Sequence, residues 1–573
     1  MMRLCSMGSY RDIDRSRTAE EIPGRRKVTT QFGRPWHFAG LIVGVLLATV
    51  PAPAQTGDGP IVRIDTGAVR TEVRNGVLSA KGIPFAAPPV GPLRWRAPQA
   101  AVGWSGVRDA RSFGHDCMQI PFSSDAAPLG ALPAEDCLTL NVWAPPVKSS
   151  AKRSVMVWIY GGGFVNGGSS APVYDGAAFA RDGIVFVSFN YRLGRFGYFA
   201  HPGLTAAAEG PLGNFGLMDQ HAALRWVHRN IAAFGGDPAR VTIVGESAGG
   251  ASVAHLMGVP ATRALFSQAV IMSGGGRDSG ALGGPRDMRV DVSNVLSAET
   301  IGVNFATANG IAGTGAATLA KLRALDADAI AKGVGIGELM RGPPPGPPTF
   351  TAPFIDGITV VGSTETLFRS GAVAKVPLII GATSADLGFL SASSKEMLFA
   401  RFGNKALAAR TAYDPTGTRS LPELTQRIAG DMTMVEPARY LATRMAALGA
   451  PVWTYRFSYV AQSMRSENTT GALHATEIPF FFDNLTAKYG DRLVPADAKV
   501  AQSAHRYLVS FVENGNPNGT GGVRWPTVHS DDVSLLDFAS DGRTVSGADP
   551  RLGQLDLVAL LETATDSSSG NAR

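Results

Sequence analysis

The stretch Arg240-Val-Thr-Ile-Val-Gly-Glu-Ser-Ala-Gly-Gly250 offers one hydroxyl for nucleophilic chemistry. Val241 to Val244 has the apolar, β-branched character of a strand, and the small residues after Ser247 can open a helix. Between them lies Gly-x-Ser-x-Gly, a turn so tight that the residues two before and two after the serine must be almost free of side chain. Gly245 and Gly249 meet that demand. Such a turn lifts the Ser247 hydroxyl above the end of the strand and leaves the Ala248 N–H free to meet an oxyanion. Upstream, the apolar run Val155-Met-Val-Trp-Ile-Tyr160 ends in Gly161-Gly-Gly-Phe164. Glycines at that place let backbone N–H groups approach a reacting atom closely, so Gly162 and Gly163 are the expected further donors. Losing one such donor typically raises an acyl-transfer barrier by roughly 2.7–4 kcal/mol.

A serine hydroxyl needs a base, and the base needs an acid that orients it. Around this kind of turn the chain order is serine, acid, histidine. Of the four histidines after Ser247, His255 sits eight residues on, roughly 12 Å along a helix at 1.5 Å per residue, too far to act. His505 falls in a helical run and His529 in a late loop, where solvated or capping roles are usual. His474, in the loop Gly471-Ala-Leu-His-Ala-Thr-Glu-Ile-Pro-Phe480, is the expected base. The acid should follow a strand. Val376–Ile380 and then Gly381-Ala-Thr-Ser-Ala-Asp386 supply one, making Asp386 the first choice. Asp356 in Phe354-Ile-Asp-Gly357 is its rival, although that tetrad reads more simply as a turn.

Strands must hold these groups in register. Ile184–Phe189 joins the run above as another buried strand, and Gln268–Ser273 and Trp453–Phe457 read as further strands of the sheet. Leu217–Ala233 has helical spacing and is stopped by Gly235-Gly-Asp-Pro238. Strands alternating with helices predict a large, mostly parallel, doubly wound sheet, with antiparallel strands at its edge from Pro60 to Ala80. Ala498–Glu513 is read as a closing helix and the polar tail after Thr563 as frayed. From about 280 to 350 alanine-rich helical segments lead to Gly342-Pro-Pro-Pro-Gly-Pro-Pro348. These predict an inserted helical cap over the carboxyl edge of the sheet, with a plain surface excursion as the alternative.

The 573 residues carry a net charge of +6. Residues 1–54 hold eight Lys+Arg against four Asp+Glu, which takes four of those charges and leaves about +2 on the rest. That balance does not point to a nucleic-acid partner. Phe38–Val50 is an apolar run after Arg25, Arg26, Lys27 and Arg34, and Ala52-Pro-Ala54 is a small-residue cleavage site. Residues 1–54 therefore read as a signal peptide cut after Ala54, with a secreted or periplasmic destination and no stable membrane span. A single catalytic domain over 55–573 is expected. Cys117 and Cys137 remain in it, an even pair in an exported chain, and should close a surface loop as a disulfide. Two cysteines cannot make a thiolate zinc site and no His-Glu-x-x-His occurs, so no metal and no cofactor is expected.

The chain resembles the type B carboxylesterases, the family that includes the cholinesterases. The resemblance rests on Gly82-Ile-Pro-Phe-Ala86, Glu135-Asp-Cys-Leu-Thr-Leu-Asn-Val-Trp143, Tyr160-Gly-Gly-Gly-Phe164, Asn190-Tyr-Arg-Leu193, Gly213-Asn-Phe-Gly216, Phe234-Gly-Gly-Asp-Pro238, Gly245-Glu-Ser-Ala-Gly-Gly250 and the His474 segment. It implies an α/β-hydrolase fold, a small-molecule ester as substrate and water as acyl acceptor. It also implies Ser247 as nucleophile, His474 as base, Gly162, Gly163 and Ala248 as oxyanion donors, Cys117–Cys137 as the first disulfide, and Glu246, Ser273 and Glu477 as supports behind the reacting groups. Two departures stand out. Asp386 occupies the place where the family usually has a glutamate, one methylene longer, and Leu387 replaces a glycine. The loop 118–136 has no aromatic residue except Phe122, whereas cholinesterases carry there a tryptophan that receives a quaternary ammonium. General or xenobiotic esters are therefore expected in preference to choline esters. The rival readings are a catalytically idle binding protein of the same fold, and an amidase or specialised detoxifying hydrolase. The sequence leaves oligomeric state open.

Overall fold

Ser154 to Ile159 is buried throughout, as an apolar run must be when helices cover both faces of its sheet. The computed structural model describes residues 56–569 apart from 123–124, 147–151, 279–285, 293, 343–344, 520 and 530–532, and describes only the backbone at 56 and 562–569. The leader expected over 1–54 lies outside the described residues.

Among the described residues thirteen strands form one sheet. In chain order they are β1 (Thr56–Ile64), β2 (Gly67–Arg74), β3 (Val77–Pro84), β4 (Val107–Asp109), β5 (Thr139–Ala144), β6 (Arg153–Ile159), β7 (Val185–Phe189), β8 (Gly236–Glu246), β9 (Gln268–Met272), β10 (Leu378–Thr383), β11 (Val452–Phe457), β12 (Ser534–Phe538) and β13 (Thr544–Ala548). Across the sheet the order is β1, β2, β3, β5, β7, β6, β8, β9, β10, β11, β12, β13, with the short β4 beside β2. From β7 to β12 in that order every pairing is parallel, and the flanking pairs are antiparallel.

The order has one reversal. The chain leaves β6 for β7 on one side and returns past it to β8 on the other. Open parallel sheets bind ligands outside the carboxyl ends of the strands at such a point. The ends of β6 and β8 are Ile159 and Glu246, so the glycine loop and Ser247 both start there.

The helix expected over 217–233 runs Phe215–Asn230, and the closing helix runs Pro495–Asn514. Proline suits the first position of the latter, where its missing N–H is no loss. Asp497 accepts from the Val494 N–H at 3.2 Å, and Gly515 ends the helix at φ 67°. Two features escaped the sequence reading. β12 and β13 extend the sheet, and the tail read as frayed continues as helix Leu552–Ser569.

The insertion contains helices Ala298–Ala308, Ala316–Arg323, Ala327–Ala331 and Ile336–Arg341. The Ser297 hydroxyl caps the first by accepting from the Thr300 N–H. Arginines from the sheet side clasp the rest. Buried Arg195 donates to the carbonyls of Ile330, Lys332 and Thr349 and to the Thr349 hydroxyl at 2.7–2.9 Å, with its guanidinium 4.5 Å above the Phe305 ring. Arg94 donates to the carbonyls of Arg323 and Leu325 while pairing with Glu135. Cys117 and Cys137 are joined, with Cα atoms 4.9 Å apart and a separation of 20 in sequence. Closing a loop of that size removes unfolded-state freedom worth about 3 kcal/mol. Among the described residues no helix is long and apolar enough to cross a membrane.

Candidate active site

β8 delivers Ser247 with φ 56° and ψ −124°, a backbone conformation rare for any residue with a side chain. Such a residue costs on the order of 1–3 kcal/mol and persists only where its surroundings fix it. Here the Ser247 N–H donates to the Met272 carbonyl and its own carbonyl accepts from Ala251, both at 2.9 Å. A methyl group on Gly245 would overlap the Gly249 carbonyl, and one on Gly249 would overlap the Ile159 carbonyl. Strand and helix therefore cross at a spacing that only glycine permits, for the reason the Gly-x-Ser-x-Gly spacing predicts.

The loop after β6 runs against this turn. A Cβ on Gly161 would lie 2.8 Å from the Ser247 Cβ. Gly162, Gly163 and Phe164 then take φ values of 102°, 62° and 62°, and the turn closes with Asn166 N–H donating to the Gly162 carbonyl at 2.9 Å. Among the described residues the N–H groups of Gly162, Gly163 and Ala248 have no hydrogen-bond acceptor.

His474 lies on the loop after β11, where Ala475 takes φ 65°. Its Nδ1 is 2.6 Å from Asp386 Oδ1. The other carboxylate oxygen, Oδ2, accepts from the Ser273 hydroxyl at 2.7 Å and the Thr383 N–H at 2.8 Å, and Oδ1 also accepts from the Leu387 N–H at 2.7 Å. Burial opposes a charge on Asp386, but the imidazole and these donors hold its carboxyl below the usual carboxylate range. An ionised Asp386 fixes the proton of a neutral His474 on Nδ1, which leaves Nε2, a buried atom, as the ring's acceptor. That Nε2 is 3.2 Å from Glu246 Oε1.

Three acids thus surround one imidazole. Burial pushes Glu246 up to about 7, with His474 pulling the other way. Burial, then the nearby Glu246 and Asp386, push Glu477 well above the carboxylate range. Burial works against the His474 imidazolium, and Glu246 and Asp386 overcome it and raise the histidine. The cause is plain: a cluster with more acids than bases, shut away from water, retains protons.

The sequence-derived residues Ser247, Asp386, His474, Glu246, Ser273 and Glu477 and the glycine loop all fall at the carboxyl ends of β6, β8, β9, β10 and β11. The rival acid Asp356 is elsewhere: its Oδ1 accepts from the N–H groups of Ile358, Thr359 and Val360, the turn that its sequence suggests. His505, read as solvated or capping, is buried and bridges the Phe481 carbonyl and Asp182 at 2.8 and 2.9 Å. Residues of the stretch 280–350 pack against the glycine loop. Leu339 and Ile336 stand 2.9 and 3.4 Å from where a Cβ on Gly163 would be, and the Ile336 N–H donates to Asn166 Oδ1 at 3.0 Å. No sequence signal named either residue, because each acts only through the packing of a distant loop.

The sequence profile of the Carboxylesterase family matches residues 58–405 and 394–551. The chain belongs to the carboxylesterase family. It is a carboxylic ester hydrolase with the α/β-hydrolase fold. It is 36% identical over 500 residues to the para-nitrobenzyl esterase of Bacillus subtilis (strain 168), covering 84% of this chain and 95% of that protein. It is 33% identical over 497 residues to the fumonisin B1 esterase of Sphingopyxis macrogoltabida, covering 83% and 86%. It is 34% identical over 511 residues to the phenmedipham hydrolase of Pseudarthrobacter oxydans, covering 85% and 96%. A solved PNB esterase structure superposes with a TM-score of 0.72 at 31% identity, over 87% of this chain and 99% of that one. This carboxylesterase thus shares its overall fold with a relative that it covers over nearly that protein's full length.

Proposed function

We propose that Ser247 is the nucleophile of this ester hydrolase, His474 its general base and Asp386 the acid that orients the base. The observation that carries the reading is the 2.6 Å contact of His474 Nδ1 with an aspartate that three further donors hold ionised, beside a serine in a strained turn. Ser247 Oγ bonds to the ester carbonyl carbon while His474 Nε2 takes the hydroxyl proton. The carbonyl oxygen becomes an oxyanion that Gly162, Gly163 and Ala248 N–H groups stabilise. The carbon–alkoxy bond then breaks, His474 gives its proton to the leaving alcohol, and water repeats the sequence to free the acid. The imidazole must be neutral to start.

The substrates proposed are broad or xenobiotic esters rather than choline esters. Relatives that hydrolyse para-nitrobenzyl, fumonisin and phenmedipham substrates by name support this class. So does the wall at the oxyanion loop, formed by Ile336 and Leu339 with Phe122 close to Gly337 and no tryptophan in the disulfide loop. Insertion 280–350 then acts as a cap that shapes the pocket. Residues 1–54 direct export, a reading that the disulfide supports.

The test is hydrolysis of p-nitrophenyl acetate, butyrate and octanoate by the chain from Gln55 onward, beside Ser247→Ala. Turnover should fall by about 10⁴-fold or more in the variant. A variant that kept its turnover would refute the role of Ser247. Amino-terminal sequencing of the exported protein checks the cut after Ala54.

A further inference from the structure

Ser384 lies two residues before Asp386 and touches both loops that carry the proposed acid and base. Its N–H donates to the Phe457 carbonyl at 2.9 Å, extending the pairing of β10 with β11. Its hydroxyl oxygen accepts from the Ala472 N–H at 3.0 Å, two residues before His474. Next to it, the Ala385 N–H donates to the Ala472 carbonyl at 2.9 Å, and Ala385 bridges Leu473 in parallel fashion. Gly471, at φ 132°, leaves room for the hydroxyl, since a Cβ there would stand 2.6 Å from Ser384 Oγ. The acid loop and the base loop are therefore stitched at one side chain.

That stitch is braced from behind. Arg551, ahead of the last helix, donates to the Ser384 carbonyl at 2.5 Å and to Asp431 Oδ1 at 3.0 Å. Asp431 is fully buried and also accepts from the Tyr413 hydroxyl at 3.0 Å. The Arg551 N–H donates to Asp549, whose carboxylate takes both arms of Arg456 at 2.7 Å. On the other side, a Cβ on Gly430 would lie 2.7 Å from the Asp386 carbonyl, so the helix that leads to Asp431 presses directly on the acid loop.

We propose that Ser384, braced by Arg551 and Asp431, is a positioning residue that sets the separation of Asp386 and His474. It meets the need created by an acid one methylene short: the loop must stand closer to the imidazole and be kept there. The proposal rests on the roles given above to Ser247, His474 and Asp386.

The experiment measures p-nitrophenyl butyrate hydrolysis by the chain from Gln55 onward, with competent sites counted by a fluorophosphonate so that kcat refers to folded enzyme. Ser384→Ala should lower kcat about 10- to 100-fold with KM within about twofold, the effect of a misplaced reacting group. Ser384→Thr keeps the hydroxyl and should recover most of the loss. Arg551→Lys should lower kcat in the same direction, and the double variant with Ser384→Ala should be no slower than the slower single variant, as expected of groups that act as a unit. Unchanged kcat per competent site in Ser384→Ala overturns the proposal, and so does a threonine variant as slow as the alanine one. Loss in Ser247→Ala with no change in Ser384→Ala removes this proposal alone. Turnover that survives in Ser247→Ala removes the reading of the site, and this proposal with it.

Discussion

Asp386, where the family usually has glutamate, reaches the imidazole directly. Asp386 makes four contacts, to His474, Leu387, Ser273 and Thr383, all matched to the shorter side chain. Asp386→Glu should therefore harm rather than help, lowering kcat by about 100-fold as the carboxylate overshoots its donors. Asp386→Asn should cost on the order of 10³- to 10⁴-fold by spoiling the tautomer of His474. Stopped-flow acylation rates would show both, and a glutamate variant as fast as the parent would contradict the fit described. Glu246 acts differently. Its carboxylate, 3.2 Å from Nε2, favours the imidazolium. Removing that charge lowers the histidine's affinity for a proton, so a neutral base persists to more acid pH. Glu246→Gln should shift the acid limb of the kcat/KM profile down by about 1 unit. An upward shift would mean that Glu246 does not face the titrating base.

At the level of elements, the serine turn is the least forgiving part of the fold. An alanine at 249 would overlap backbone, the Ile159 carbonyl, which cannot rotate away. Gly249→Ala should cost about 3 kcal/mol in urea unfolding, with activity lost as β6 and the helix Ala248–Gly258 are forced apart. A loss under half that would show that the helix can shift. This part of the molecule was legible in the sequence because its chemistry is local: strand, glycine, serine and glycine sit within a few residues, and small neighbours mark the loops of His474 and Asp386. Ser384, Arg551, Ile336 and Leu339 were not legible. Their roles come from contacts between segments far apart in the chain, and a serine or leucine in a loop carries no mark of its distant partner. β12 and β13 escaped for a similar reason, since Ser534–Phe538 is a short run whose burial comes from pairing with β11. His505 was undervalued because helical position alone does not reveal that Asp182 waits on another element.

Across the whole molecule, acidity and folding order matter most. His221 is buried and His255 half-buried, and the loss of water around each depresses it to about 4. In the unfolded chain each would take a proton near pH 6.5. Between those values the unfolded state binds more protons, so stability is full above pH 6.5 and falls as pH drops toward 4, by at most about 3 kcal/mol for each histidine. His255→Gln should flatten the change in unfolding free energy between pH 7.5 and 5, and an unchanged slope would assign the acid sensitivity to other groups. The bracing of Ser384 has a kinetic counterpart. Ser247, Asp386, His474 and Arg551 are drawn from positions 247 to 551, and contacts between such distant segments form slowly because long loops must close first. Helical content should recover early in refolding from urea, with hydrolysis lagging until Arg551 has docked. Regained turnover would then time the closing of the sheet's far edge, and the catalyst would serve as a clock for the last step of its own assembly.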